Sequence, residues 1–266
     1  MKMTRDPMRC KTAPECRGSL DTMRYPAFVD VKYDGEFTVY VKKVGHSGKL
    51  LNKHGAVREG LITAQLDSMV PADLDINIIG ELTYLEGLKG DLYSLLTNKV
   101  NDDVLRFCAF DIQNDDALID RKELLSTMLR PTETIRIGKS WVANSPDEVK
   151  YFFDSAKLLG YEGVVAKAFD TPYIVGPCSW VKIKDKDTNN YPIVMIDPVK
   201  ERIEVLVQLP DKKRNCGVKA SNKIKPYLRV GDLVTIEHQG ILEQGGLRHP
   251  VLVGRAKEEE NEINGN

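Results

Sequence analysis

The spacing of hydrophobic and polar positions changes several times along the chain, which predicts a mixture of strands and helices. Apolar runs predict strands at residues 29–33, 37–41, 76–82, 104–112, 163–167 and 180–184. Helical spacing predicts one helix over 61–69 and another that begins at the capping box Ser145-Pro146-Asp147-Glu148 and ends at Gly160. The glycine-containing turn between the first two strands predicts a hairpin. These elements indicate a mixed α+β domain.

The pattern changes after a polar, unpatterned stretch at residues 184–190, which we interpret as a hinge. Short strands are predicted beyond it at residues 193–196, 203–207, 233–237 and 251–253. A series of short strands with little helix is typical of a small β-barrel. The predicted organisation is an N-terminal arm at 1–24, a mixed domain at 25–186, an all-β module at 187–257 and an acidic tail at 258–266.

Composition narrows the class of protein. The 266 residues are 42% hydrophobic and 29% charged, as in globular proteins. The chain has no apolar run of the roughly 20 residues that span a bilayer, and its first 25 residues do not resemble a secretory signal. Its five cysteines form no CxxC pair, which argues against a paired-cysteine zinc site and against a disulfide framework. We therefore expect an intracellular protein that does not associate with membranes.

The net charge of −1 conceals an uneven distribution. Residues 1–186 carry a net charge of −1, whereas residues 188–257 carry 12 basic and 7 acidic side chains, a net charge of +5. Such a basic module is compatible with a polyanionic partner, and equally with a solvated basic face. The candidate phosphate contacts, which a solvated loop would also explain, are Lys212, Lys213, Arg214, Lys219, Lys223 and Lys225.

The candidate chemistry lies in short motifs that are weak individually. A KxDG tetrapeptide can be an exposed lysine beside a hairpin turn, and Phe110 can be an ordinary core residue. Lys182 and Lys184 alternate on one strand and therefore face one side, towards an anion or towards solvent. The motifs are, in order, Lys32-Tyr33-Asp34-Gly35, Gly80-Glu81-Leu82, Phe107-Cys108-Ala109-Phe110-Asp111, Glu162-Gly163-Val164-Val165-Ala166-Lys167 and Trp180-Val181-Lys182-Ile183-Lys184.

Taken in this order, the motifs resemble those of the covalent nucleotidyltransferases: ATP-dependent DNA ligases, RNA ligases and mRNA capping enzymes. The resemblance covers residues 25–257, and the segment 246–255 is similar to the last strands of the OB domain in ATP-dependent DNA ligases. It implies an ATP-grasp-like nucleotidyltransferase domain of antiparallel sheets and helices, followed by an all-β OB-fold barrel. Without accessory domains, the chain is similar to the minimal bacterial and viral members.

The resemblance also implies an activity. An ATP-dependent DNA ligase seals nicks in duplex DNA through a lysine–AMP intermediate and an adenylated 5′-phosphate. It would use ATP and Mg²⁺, with Mn²⁺ as a substitute metal, and would work as a monomer on nicked duplex DNA in replication, repair and recombination. The expected location is the cytoplasm of a prokaryote or of a virus-infected cell. An RNA ligase, or a ligase that accepts mixed RNA/DNA nicks, is the alternative.

The resemblance assigns roles residue by residue. A protonated lysine is not a nucleophile, so the attacking lysine needs desolvation or nearby positive charge to lose its proton. The implied roles are Lys32 as nucleophile, Asp30 on the adenine amino group, Glu81 on the ribose, Phe110 stacked on adenine, Glu162 as metal ligand, Lys182 and Lys184 on phosphates, Arg255 on pyrophosphate, and Val31 and Lys53 as further nucleotide contacts.

Three positions depart from the family pattern. Phe37 stands where DNA ligases usually have arginine, and a phenyl ring cannot replace a guanidinium fork. Asn52-Lys53 replaces Ser-Arg and loses bidentate geometry, and only Arg255 remains of the final motif. These departures affect substrate preference more than the chemistry. A capping enzyme using GTP and a catalytically silent OB-fold binding module remain as competing hypotheses, which nucleotide preference and labelled ATP would test.

Overall fold

The computed structural model describes residues 8–12, 19–85, 101–242 and 245–256. The chain divides into two compact units, Met1–Ile183 and Lys184–Asn266, each of which is described by itself. Over the described ranges, no helix is both long enough and apolar enough to cross a membrane. The predicted acidic tail lies outside the described residues, as do most residues of the predicted N-terminal arm.

The first unit consists of two sheets with a few helices. In chain order, its strands are β1 Met8–Thr12, β2 Ala27–Lys32, β3 Glu36–Lys42, β4 Lys49–Asn52, β5 Val57–Arg58, β6 Ile76–Tyr84, β7 Leu105–Ile112, β8 Ile135–Ile137, β9 Ser140–Ala143, β10 Gly163–Ala168 and β11 Gly176–Lys184. Its helices are α1 Ser19–Thr22, α2 Leu61–Met69, α3 Leu118–Met128 and α4 Pro146–Leu158, with a 3₁₀ turn at Asp102–Val104. The mixed, sheet-rich architecture that the sequence predicts is confirmed.

The strand orders are β1-β11-β10-β2-β9 in the first sheet and β5-β4-β3-β6-β7-β8 in the second. Most neighbours are antiparallel, as predicted, but β1 pairs with β11, and β7 with β8, in parallel. The predicted arm therefore contributes a strand. Its five residues are too few for their alternation of Met8, Arg9, Cys10 and Lys11 to be recognised as a strand signal.

The predicted hairpin between the first two strands is wrong. β2 pairs with β10 on one side and with β9 on the other, so neither edge is left for β3. β3 instead lies between β4 and β6 in the second sheet. The chain segment at Asp34 and Gly35 therefore crosses from one sheet to the other, and it carries the residues after Lys32 across the space between them.

Both faces of β3 are used in packing. Tyr40 faces a core that includes Leu50, Phe107 and the α2 residues Ile62 and Leu66, all without exposed surface. The alternate positions on β3 face a second apolar cluster that contains Val39, Ile79, Tyr173 and Trp180. A strand covered on both faces reads as a continuous apolar run, as the sequence shows here.

The helix α4 begins and ends as its capping signals predict. The Ser145 side chain accepts a hydrogen bond from Glu148 N at 3.2 Å, while Glu148 Oε2 accepts one from Asn144 N at 2.9 Å. Gly160 has φ +79°, a conformation that favours glycine at a helix end. Val149 and Ala156 pack against β2 and β10, but Leu159, expected on the apolar face, is exposed beyond the helix end.

The second unit is a sheet with the order β14-β13-β12-β15-β16. Its strands are β12 Asp187–Ile196, β13 Arg202–Gln208, β14 Lys213–Lys219, β15 Leu233–His238 and β16 Val251–Arg255, with a 3₁₀ turn at Lys225–Tyr227. The core contains Ile193, Val205, Val218, Val234 and Ile236. No ladder joins the outer strands β14 and β16 in the part of this unit that the structure describes, so the sheet is not shown to close into a barrel.

Two segments of the second unit are more regular than their composition predicts. β11 ends at Lys184 and β12 begins at Asp187, so the polar stretch that we interpreted as a hinge is mostly strand. Residues 187–190 pair with β15 while their side chains are exposed, which explains the lack of an apolar pattern. The basic segment expected as a loop contains β14, on which Lys213, Arg214 and Lys219 are exposed.

Candidate active site

A cavity of about 190 Å³ in the first unit is lined by residues of both sheets. Its charged and polar groups lie beside an aromatic wall, which is typical of a ligand site. The lining residues are Asp30, Val31, Lys32, Tyr33, Phe37, Ile79, Glu81, Phe110, Val165, Lys167, Tyr173 and Trp180. Five of the predicted site residues are among them: Asp30, Val31, Lys32, Glu81 and Phe110.

Lys32 and Glu162 form an ion pair at this cavity. Lys32 ends β2, and its partner in the antiparallel register is Gly163 at the start of β10. Glu162 immediately precedes that glycine, so the register brings two residues that are 130 positions apart into contact. The side chains are 25% and 9% exposed, which leaves the ammonium accessible while the carboxylate is nearly buried.

The glycine of the KxDG tetrapeptide is required by a close approach. A Cβ atom on Gly35 would lie 2.3 Å from the carbonyl oxygen of Leu82 on β6. Tyr33 is fixed on the other side, where its hydroxyl accepts a hydrogen bond from Lys139 N at 2.9 Å. Together these contacts hold the crossing segment against β6 and place Lys32 near Glu81.

Glu81 lies in the middle of β6, opposite Phe37 on β3 and Cys108 on β7. Burial raises the pKa of its carboxyl to about 8, although the nearby Lys32 ammonium acts in the opposite direction. The Glu162 carboxylate adds to the increase by repulsion. A carboxyl that holds its proton near neutral pH can both donate and accept a hydrogen bond, as recognition of a hydroxyl requires.

Phe110 faces the cavity and lies at a β-bulge in β7. Ile79 opposes Asp111 and Gly80 opposes Ala109, so Phe110 is the extra residue of β7. Before the bulge Phe107 and Ala109 face the core beneath α2, and after it Ile112 faces the same core. Alternation along β7 therefore turns Phe110 away from that core, towards Val165 and Trp180, and the bulge that follows returns Ile112 to the core.

Asp30 is buried and already has partners within the chain. Its Oδ1 accepts hydrogen bonds from Lys122 Nζ at 2.8 Å and Ser140 Oγ at 2.6 Å, and its Oδ2 lies 2.5 Å from Lys167 Nζ. Burial alone would raise the pKa of this carboxyl, but Lys122 and then Lys167 outweigh it and lower the pKa to about 2. Asp30 is therefore an anion that balances two buried cations.

Sequence reasoning missed Lys122 and Lys167. Lys167 is 2% exposed, and its Nζ lies 4.5 Å from the ring centre of Phe110 and 4.1 Å from that of Trp180. In the sequence Lys167 is the charged end of an apolar strand, and Lys122 lies in a segment for which no element was predicted. Their burial and their ion pairs with Asp30, which only the structure displays, distinguish them from surface lysines.

The remaining predicted residues lie elsewhere. Lys53 is exposed beyond the end of β4, and Lys182 is half-buried on β11, and neither is among the described residues that line the cavity. Lys184 is the first residue of the second unit, and Arg255 lies on β16, where its Nη2 donates to Asp232 Oδ1 at 2.9 Å. Lys184 and Arg255 belong to the second unit, so their roles at the nucleotide stay predictions.

The sequence matches the family model described as the ATP dependent DNA ligase domain over residues 7–184, about two thirds of the chain. The chain belongs to the ATP-dependent DNA ligase family. Members of this family use ATP, and the predicted resemblance is confirmed. The match includes every predicted site residue except Arg255.

Relatives of this ligase-family chain are found among curated sequences. A DNA ligase of Pyrobaculum islandicum is 27% identical over 195 residues, which is 65% of this chain and 32% of that protein. A probable DNA ligase of Dictyoglomus thermophilum is 26% identical over 178 residues, which is 59% of this chain and 30% of that protein. The chain thus spans about a third of the length of these relatives.

Solved ligase structures share the fold. A Lig E DNA ligase, described as binding DNA with a minimal scaffold, has a TM-score of 0.72 at 18% identity, and the match covers 96% of this chain and 100% of that one. The Chlorella virus DNA ligase-adenylate has a TM-score of 0.53 at 17% identity, and the match covers 96% of this chain and 99% of that one. At such identities the likeness shows a common fold and does not extend to activity.

Proposed function

We propose that this protein is an ATP-dependent DNA ligase that seals nicks in duplex DNA through a lysine–AMP intermediate. The observation that carries the proposal is the contact of Lys32 with Glu162 at the edge of an aromatic-lined cavity, in a chain of this family. A nucleophilic lysine beside a carboxylate and a pocket for a planar base are what nucleotide transfer to an amine requires.

The first step would adenylate Lys32. Its ammonium loses a proton, for which Glu162 is the adjacent acceptor, and Nζ attacks the α-phosphorus of ATP. A phosphorus–nitrogen bond forms, the bond to the bridging oxygen breaks, and pyrophosphate leaves while a second amine proton is released. The 5′-phosphate at the nick then displaces Lys32 to form the adenylated end, and the 3′-hydroxyl attacks this phosphate and releases AMP.

The other roles follow from position and charge. Phe110 offers a ring face to the base, Glu81 a hydrogen-bonding carboxyl to the ribose, and Val31 a place in the cavity wall. We assign Lys53, Lys182 and Lys184 to the phosphates and Arg255 to pyrophosphate on the family pattern. Arg255 is bound to Asp232 in the structure, so that ion pair has to open before Arg255 takes this role.

The chain's residues fit a divalent metal ion. In the described ranges no three side chains of His, Cys, Asp or Glu cluster as a complete metal site. Mg²⁺ commonly takes one or two carboxylates and completes its shell with water and substrate phosphates. Glu162 would hold it, because its carboxylate lies at the cavity beside Lys32, where the phosphates are expected. When bound, Mg²⁺, or Mn²⁺ in its place, would neutralise the phosphate oxygens.

We further propose that residues 25–186 form the adenylation domain and residues 187–257 an OB-fold barrel that contacts duplex DNA. The antiparallel second unit and the exposed Lys213, Arg214 and Lys219 on β14 support this assignment. Their charge suits phosphate contacts of a sequence-independent kind. The RNA-ligase alternative has no such support from the relatives, which are DNA ligases.

The decisive experiment is incubation with ATP labelled at the α-phosphate, with Mg²⁺. We expect an acid-labile, alkali-stable adduct on Lys32, followed by sealing of a nicked DNA duplex. Lys32→Ala should abolish the adduct, whereas Lys150→Ala, at an exposed site on α4, should not. An adduct on a different lysine, or sealing confined to nicks made of RNA, would contradict the proposal.

A further inference from the structure

The end of the cavity away from Lys32 contains a buried cluster of three charges. Asp30 and Lys32 lie on the same face of β2, and Lys167 lies opposite Phe28 on the neighbouring β10. Every second residue of a strand faces the same side, so Phe28, Asp30 and Lys32 share one face of β2. The backbone of Phe28, which Lys167 opposes, is four residues, or roughly 13 Å, from that of Lys32. If Lys32 meets the α-phosphate, Lys167 is at the end where the base belongs.

Hydrogen-bond donors predominate at this end. The ammonium of Lys167 has three N–H donors, and Asp30 is the one acceptor that contacts it within the described residues. Trp180 Nε1 is also buried, and no described residue provides it with a hydrogen-bond partner. A buried donor without a partner is costly, and a ligand acceptor would remove that cost.

Asp30 is poorly suited to receive the adenine amino group. Its Oδ1 accepts hydrogen bonds from Lys122 and Ser140, and its Oδ2 is ion-paired with Lys167 but accepts no hydrogen bond from a described residue. Turning the carboxylate towards a ligand would leave buried ammonium groups without a counterion, which is strongly unfavourable. With one anion and two cations, the cluster retains an excess positive charge, which favours ligand acceptors over ligand donors.

We propose that Lys167 is the specificity-determining residue for the base, that it binds a ring-nitrogen acceptor of the purine, and that Asp30 and Lys122 act only as positioning residues. The proposal rests on the adenylation function above and replaces the role that the family pattern implies for Asp30. Lys122 reaches Asp30 from α3, outside the motifs of the sequence, and so adds a contact that the pattern does not contain.

The first test uses the unmodified protein with ATP analogues in single-turnover adenylation of Lys32. We expect 1-deaza-ATP or 7-deaza-ATP, each lacking one ring-nitrogen acceptor, to raise the half-saturating concentration about tenfold or more, as loss of a hydrogen bond to a charged donor does. Purine riboside triphosphate, which lacks the amino group, should change it by less than about threefold. Strong loss with purine riboside triphosphate, or no loss with either deaza analogue, would overturn the proposal.

The second test uses variants. Lys167→Met should remove the discrimination between ATP and the deaza analogue, and Lys122→Met should raise the half-saturating ATP concentration while leaving the maximal rate unchanged. Lys122→Arg keeps a cation near Asp30 and should restore most of the affinity. Lys150→Met is the matched control at an exposed position. Retention of the wild-type discrimination by a folded Lys167→Met variant would contradict the role of Lys167.

The two proposals fail in distinguishable ways. Absence of any Lys32 adduct would refute the adenylation function, and equilibrium binding of the same four nucleotides would then decide the base contact. If the adduct forms but analogue preference is the reverse of that expected, only the assignment of Lys167 is wrong. If ATP neither reacts nor binds, both proposals are wrong.

Discussion

Arg121 donates two parallel hydrogen bonds to Asp111, from Nε to Oδ1 at 2.8 Å and from Nη2 to Oδ2 at 3.1 Å. Both side chains are fully buried, and Nη1 of Arg121 also donates to the carbonyl oxygens of Asp116 and Thr171. This fork fixes α3 to β7 one residue after the bulge at Phe110. The next residue on the helix, Lys122, binds Asp30 on β2, so α3 connects both sheets beside the cavity.

Loss of this fork should destabilise the first unit strongly. Arg121→Met leaves the Asp111 carboxylate buried without its partner, which typically costs about 3–5 kcal/mol in the free energy of unfolding. Urea denaturation measures this change. Arg24→Met, which removes an ion pair with Asp170 at the surface, is the control and should cost less than about 1 kcal/mol. Equal losses of unfolding free energy from the two substitutions would show that burial does not make the Arg121–Asp111 pair more important for stability than a surface ion pair.

The stabilising contribution of Asp30 should be lost at low pH. Its pKa in the folded protein, about 2, is below the ordinary value of 3.8, so the contribution is present above the ordinary pKa and is lost as the pH falls towards 2. The shift corresponds to about 2 kcal/mol. The difference in unfolding free energy between the wild type and Asp30→Asn should therefore narrow from pH 5 to pH 2. Parallel pH profiles for the two proteins would contradict the ion-pair assignment.

Substitutions of Glu162 and Lys182 test the charges assigned to the phosphate end of the site. Glu162→Ala removes the carboxylate that contacts Lys32, and Lys182→Ala removes the cation assigned to phosphate. Each should slow adenylation of Lys32 at least about 10²-fold, the scale of one lost preorganised charge in such a site. Rapid-quench measurements with labelled ATP give the rate. Lys182 lies outside the cavity lining, so a near-normal adenylation rate in the Lys182→Ala variant alone would show that Lys182 does not contact the phosphates.

Arg255→Ala separates the chemical steps. If Arg255 orients pyrophosphate, its loss should slow adenylation of Lys32 far more than sealing of a nick that already carries AMP. Asp232→Ala is the matched control, because it frees Arg255 from its ion pair and should leave adenylation intact. Equal slowing of both steps by Arg255→Ala would instead indicate a structural or DNA-binding role.

Local patterns predicted many elements correctly. The helix α2 has the bounds that its spacing predicts, and the capping residues Ser145 and Gly160 mark the ends of α4. Side-chain periodicity and capping depend on residues a few positions apart, which the sequence displays directly. The strand β1, the regular polar part of β12 and the pairing of β3 were missed because backbone ladders form between distant segments and leave little trace in composition.

The sequence by itself determined the family, the order of the motifs and the choice of Lys32 and Glu162 as candidate site residues. Only the tertiary structure decided that these two residues touch, because contact depends on the register of β2 against β10. It also decided that Phe110 faces the cavity beside Trp180, and that Asp30 is held by Lys122 and Lys167. A lysine looks the same in the sequence whether water or a buried carboxylate surrounds it, and burial, which sets the cost of its charge, arises only when distant segments pack together.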